Sequence, residues 1–128
     1  MRYLLDTHIY FWYRSSPQRL SPALLDVLTD RSQEILISVA TPWELAIKTG
    51  SGKLDAAQLL VDFEMRETAA GFIIAEVRTA QAVRSGLLPP HHRDPFDRLL
   101  VAQALDLRIP IISSDPVLDL YGVKRIWD

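Results

Sequence analysis

A chain of 128 residues suits one domain, and with 48% hydrophobic and 23% charged residues it can bury a core without a disulfide or structural metal. Lys and Arg number 14 against 16 Asp and Glu, a formal charge of −2, which excludes a chain held to nucleic acid by bulk positive charge and leaves only local basic contacts. With no cysteine, disulfides, zinc ribbons and thiol catalysis are excluded, and a reducing compartment fits.

The first strand is read at Tyr3-Leu4-Leu5, and Asp6 follows it. That acid arrives after too few apolar residues for a signal peptide. No apolar run approaches the roughly 20 residues of a membrane span, so a soluble, cytoplasmic protein is expected. An aromatic-rich helical stretch runs from His8 to Tyr13, and Ser21-Pro22 opens a helix with Ser as cap and Pro at its first position. Ile35-Leu36-Ile37 is the second strand, after which Thr41-Pro42 opens a helix ending near Gly50 and Gly52. One longer helix is expected from Ala56 to Ala70, ended by Gly71, with Phe72-Ile73-Ile74 as the third strand. Thr79 is read as the cap of a short helix to Ser85, closed by Gly86. Leu87 to Arg93, containing Pro89-Pro90-His91-His92, is a loop. Asp94-Pro95 opens a helix to Leu107, Ile109 to Ile112 is the fourth strand, Asp115-Pro116 opens a short helix to Tyr121, and Val123 to Trp127 is an edge strand.

Short apolar strands alternating with helices predict an α/β fold: a single domain over residues 1–128, with a mostly parallel central sheet and helices on both faces in three layers. Right-handed crossovers put the strand C-termini along one edge, where ligands bind at the switch point of strand order. Four acids fall on that edge. Asp6 and Asp115 follow strands, and Glu44 and Asp97 stand in first helical turns. Carboxylates so gathered repel one another, and a hard divalent cation relieves the repulsion. Such a cation supports phosphoryl chemistry. Singly, most have a plainer role: Thr41-x-x-Glu44 fits a capping box, and Asp94 and Asp115 before prolines fit helix caps. Lys48, one turn after Glu44, and Arg98, beside Asp97, are read equally as surface ion pairs and as contacts to an RNA phosphate. Arg14 and Arg19 are weaker candidates for the same groove. His91 and His92 are expected to be exposed loop residues, and Tyr10, Phe11, Trp12 and Tyr13 are expected in the core or an interface.

Taken as a set, Leu4-Leu5-Asp6-Thr7-His8, the run from Ser38 through Thr41-Pro42-Trp43-Glu44 to Lys48, His92-Arg93-Asp94-Pro95-Phe96-Asp97-Arg98, Ser113-Ser114-Asp115 and the ending Tyr121 to Trp127 resemble the PIN-domain VapC family. Those are ribonuclease toxins of type II toxin–antitoxin modules. The resemblance implies an endoribonuclease dependent on Mg²⁺ or Mn²⁺, with Asp6, Glu44, Asp97 and Asp115 as catalytic and metal-holding acids. Thr7, Asp94 and Ser113 are then expected to orient those acids. It also implies a VapB-like antitoxin partner, an RNA substrate, a homodimer and a larger toxin–antitoxin complex. The alternatives are a catalytically silent PIN-like binding module, against which the full set of acids stands, and a phosphotransfer or phosphatase domain. The latter would want an acid where His8 stands.

Overall fold

The computed structural model describes residues 1–128. Five strands, β1 (Arg2–Leu5), β2 (Glu34–Ser38), β3 (Ile73–Ala75), β4 (Ile111–Ile112) and β5 (Arg125–Ile126), form one sheet in the order β3-β2-β1-β4-β5. Every neighbouring pair is parallel. Seven helices connect them: α1 (Thr7–Ser15), α2 (Pro22–Thr29), α3 (Ala40–Gly50), α4 (Ala57–Leu60), α5 (Phe63–Ala69), α6 (Thr79–Leu87) and α7 (Pro95–Leu107). Short 3-10 segments cover Pro17–Arg19 and Pro116–Tyr121.

The strands are apolar throughout because both faces are covered, and the two-residue period sorts their side chains between two cores. Leu5, Ile35, Ile37 and Ile112 pack with Ile9 and Tyr10 of α1, Leu24 and Leu28 of α2 and Phe63 of α5. Leu4, Leu36 and Ile111 point the other way, onto Leu99, Leu100, Val101 and Ala104 of α7. Each such leucine or isoleucine contributes about 1.5–3 kcal/mol by leaving water. The expected sandwich is therefore what forms, and its strand order reverses beside β1. The chain steps from β1 to β2 and β3 on one side, and later to β4 and β5 on the other. The register pairs Leu5 with Ile112, so Asp6 and Ser113 emerge side by side at that reversal.

Caps account for several helix starts. The Ser21 hydroxyl accepts from the Leu24 N–H, the Asp94 carboxylate from Phe96 and the Asp115 carboxylate from Val117, each with proline in the next position. Elsewhere the local signals were overruled. The helix expected from Ala56 to Ala70 is broken into α4 and α5 at Val61 and Asp62, where Asp62 adopts a φ of 50°. The break frees backbone carbonyls, and the Arg66 guanidinium donates to those of Leu59 and Val61. The third strand begins one residue later than expected, because Phe72 is taken into the core ahead of the sheet pairing. Thr79 lies inside α6 rather than capping it. The Gln81 side-chain oxygen accepts from the Arg78 N–H instead, and the helix runs through Gly86 to Leu87. The fourth strand is shorter than expected, although the Pro110 carbonyl still accepts from the Leu4 N–H at 2.9 Å. No helix is long and apolar enough to cross a membrane.

Candidate active site

Asp6 leaves the end of β1 and is almost wholly buried. One carboxylate oxygen accepts from the Thr7 N–H at 2.8 Å, and the other accepts from the Ser113 hydroxyl at 2.6 Å. His8 Nδ1 stands 3.3 Å from that second oxygen. Burial pushes the Asp6 pKa up against the His8, Ser113 and Thr7 interactions, and the charge of Glu44 adds to the rise. Ser113 also accepts from the Asp115 N–H at 3.0 Å, so one hydroxyl ties the acid after β1 to the turn after β4.

Glu44 sits on α3, 3% exposed. The capping box expected with Thr41 does not form. The helix starts at Ala40, whose N–H donates to the Ser38 hydroxyl at 3.0 Å, and the Thr41 hydroxyl lies 3.1 Å from that of Thr7. Glu44 is thereby released from the helix end. Its Oε2 accepts from Lys48 Nζ at 2.6 Å, while its Oε1 is buried with no hydrogen-bond partner. Burial disfavours the charge on Lys48, but the hydrogen bond and the carboxylate of Glu44 prevail and raise its pKa.

Asp97 is the third residue of α7 and the electrostatic centre of the group. Burial, then the charges of Asp6, Asp94, Glu44 and Asp115, push its pKa up to about 8. Asp6, Glu44, Asp94, Asp97 and Lys48 line one cavity of about 250 Å³, with Phe11 and Trp12 on its wall. A more open cleft of about 750 Å³ lies along α4 and α5 and gathers no comparable set of acids. Asp115 does not line the acidic cavity. It approaches through His92, whose Nε2 lies 2.9 Å from Asp115 and 3.0 Å from Asp97.

The arrangement fits a hard divalent cation on two observations. An orphaned, buried Glu44 oxygen lacks a positive partner, and Asp97 is forced toward protonation by burial and by the neighbouring acids. Oxygen donors without thiolates are what Mg²⁺ and Mn²⁺ take.

Three further expectations change. His92 is not an exposed loop residue: its side chain is 18% exposed and touches two acids, whereas His91 is exposed and packs on the Tyr121 ring. Two prolines before it and a helix cap two residues after it leave the loop little slack, a signal present in the sequence. Arg98 makes no ion pair. Its guanidinium donates to the carbonyls of Ser85, Gly86, Leu88, Pro89 and His92, closing the end of α6 and the loop behind it. Arg14 is drawn away from the groove to Glu67, a fully buried acid that also accepts from the Tyr10 hydroxyl. Arg19 lies over the ring of Trp12, a residue of the cavity wall, 3.9 Å from its centroid. The Arg14–Glu67 pair joins residues far apart along the chain, and nothing local in the sequence announces it.

The PIN domain family model matches residues 3–124. Ribonuclease VapC22 of Mycobacterium tuberculosis is 25% identical over 113 residues, covering 88% of this chain and 85% of that protein. Among solved structures, the DNA-bound VapBC2 of Rickettsia felis superposes with a TM-score of 0.73 at 16% identity, over all of both chains. The DNA-bound VapBC of Salmonella typhimurium gives 0.66 at 16% identity, over 98% of this chain and 97% of that one. VapBC-1 of nontypeable Haemophilus influenzae gives 0.64 at 17%, with the same coverage. At such identities these structures share the fold.

Proposed function

This chain belongs to the PIN domain family, and from that premise we propose that it is a VapC-type endoribonuclease, the toxin of a toxin–antitoxin module with a VapB-like antitoxin as partner. The observation that carries the reading is the buried, unpartnered Oε1 of Glu44, a residue that lines one cavity with Asp6, Asp94 and Asp97 where the fold reverses its strand order. The likeness to a ribonuclease supports the activity. The likeness to toxin–antitoxin complexes supports the partner, and a homodimeric toxin acting in the cytoplasm completes the proposed reading.

Asp6, Glu44, Asp97 and Asp115 would hold Mg²⁺ or Mn²⁺, with Asp94 behind them as the α7 cap. When bound, the ion offsets the carboxylate charge and acts as a Lewis acid toward a phosphodiester. The protein's own share is positioning. Thr7 and Ser113 lock both oxygens of Asp6. Lys48 holds one oxygen of Glu44 and leaves its ammonium beside the cavity, where it can meet an RNA phosphate. Phe11 and Trp12 offer an apolar wall on that side.

The test is cleavage of total host RNA by the purified chain, shown to be free of partner, with Mn²⁺, with Mg²⁺ and with chelator. Asp97→Asn runs in parallel, and new 5′ ends are mapped by sequencing. Discrete metal-dependent ends, absent in the variant, support the reading. No cutting at all would favour the silent binding module.

A further inference from the structure

His92 has a place in the site but no part in the roles given above. Its Nε2 hydrogen-bonds Asp115 Oδ2 at 2.9 Å and lies 3.0 Å from Asp97 Oδ2. Its other ring nitrogen, Nδ1, accepts from the Asp94 N–H at 3.1 Å. A ring nitrogen that accepts carries no hydrogen, so the imidazole hydrogen is on Nε2 and faces the two acids. The ring is held from behind as well. The His92 N–H donates to the Tyr121 hydroxyl at 2.8 Å, and its carbonyl is among those gathered by Arg98.

The competing role for His92 is metal ligation. One ligand atom each from His92, Asp97 and Asp115 lies within 4.8 Å of the others, a spacing that suits a shared ion. A ligating Nε2 must present a lone pair, which would move the hydrogen to Nδ1. Nδ1–H would then confront the Asp94 N–H, donor against donor, at a residue pinned as the cap of α7. The loop therefore suits His92 as a donor to the acids. It has specific work to do there. Nε2 of His92 is the one side-chain nitrogen within 4 Å of the Asp97 carboxylate, and Asp115 stands outside the cavity that the other acids share. The Oδ1 of Asp115 is occupied by the Val117 N–H, and its Oδ2 is placed by His92 alone.

We propose that His92 is a positioning residue, whose Nε2–H ties Asp115 to Asp97 and so brings the acid after β4 into the cation site. This rests on the reading of Asp97 and Asp115 as metal-holding acids. The tie runs from the first turn of α7 to the turn after β4 and fixes how the two carboxylates face each other, so its loss should act on metal affinity.

The experiment measures Mn²⁺ binding to the full chain by calorimetry, with electron spin-echo spectroscopy of the bound ion, for the wild type, His92→Ala, His92→Gln and Asp97→Asn. His92→Ala should weaken Mn²⁺ binding roughly 10–100-fold, the usual cost of removing a group that orients a ligand. His92→Gln keeps a side-chain N–H and should recover most of that loss. The wild-type ion should show no nitrogen coupling that His92→Ala removes. A nitrogen coupling that is present in the wild type and lost in His92→Ala would make His92 a ligand and overturn the proposal. Equal affinity in wild type and His92→Ala would overturn it too, and so would failure of glutamine to rescue. Failure of the underlying reading looks different, because Asp97→Asn would then bind Mn²⁺ as the wild type does.

Discussion

Replacing Asp97 with Asn should abolish RNA cleavage and, in chelator, make the protein more stable. The Asp97 side chain is 18% exposed, and burial and four neighbouring acids push its pKa up to about 8. In the unfolded chain the same group ionises near the ordinary aspartate value of about 3.9. At pH 7 the metal-free folded protein must therefore hold a proton that the unfolded chain has released. A pKa raised on folding means that stability is greatest at low pH. It is lost as pH climbs from about 4 to about 8, by up to about 1.4 kcal/mol per pH unit. Over the roughly three units up to pH 7, this amounts to about 2–4 kcal/mol once partial solvent screening is included. Asparagine has the shape of the protonated acid, and its carbonyl oxygen can still accept from His92, so it should recover that amount. For a chain of this size the melting temperature should rise by roughly 5–15 °C. Thermal unfolding in chelator at pH 5, 7 and 9 reads both effects. The wild type should lose stability across the series more steeply than the variant, and Mn²⁺ should flatten the wild-type trend. Equal slopes in the two proteins, or a variant less stable than wild type at pH 7, would refute the electrostatic account of the site.

Three further substitutions test the supports. Lys48→Met leaves Glu44 as a buried charge without its ammonium, and stability in chelator should drop by about 1–2 kcal/mol, since Lys48 is itself partly exposed. Denaturant unfolding should show the deficit shrinking in Mn²⁺; a deficit indifferent to metal would count against Glu44 as a cation-site residue. Arg98→Lys removes the planar fork that gathers the carbonyls of Ser85, Leu88 and His92. It should cost about 1–3 kcal/mol and raise amide hydrogen exchange between residues 85 and 92, and unchanged exchange there would contradict the assigned role. Glu67→Gln leaves Arg14 without its anion in a buried network outside the lining of the acidic cavity and should destabilise the fold by about 3 kcal/mol. A shift under about 0.5 kcal/mol would mean that solvent screens the pair more than its burial implies.

The sequence alone determined the layers. Apolar triplets such as Ile35-Leu36-Ile37, repeated between helical stretches, can be satisfied only by strands covered on both faces, and serine and aspartate before proline set helix starts through local hydrogen bonds. Asp6, Glu44 and Asp97 were legible as a set because topology carries strand ends and helix starts to one edge, whatever each residue does singly. What remained hidden depends on which partners packing brings together, far along the chain for Arg14 and Glu67 and across one loop for Arg98. Thr41 turned from a cap into the hydroxyl partner of Thr7, and Arg14 was taken by Glu67. Arg98 was spent on backbone carbonyls left by the end of α6 and the loop after it. His92 moved from an expected surface position to a bridge between Asp97 and Asp115. Helix caps and strand periodicity are decided within a few residues, so a sequence displays them. A polar side chain's partner is decided by which unmet donor or acceptor the packed chain leaves within about 3 Å, and only the tertiary structure sets that distance.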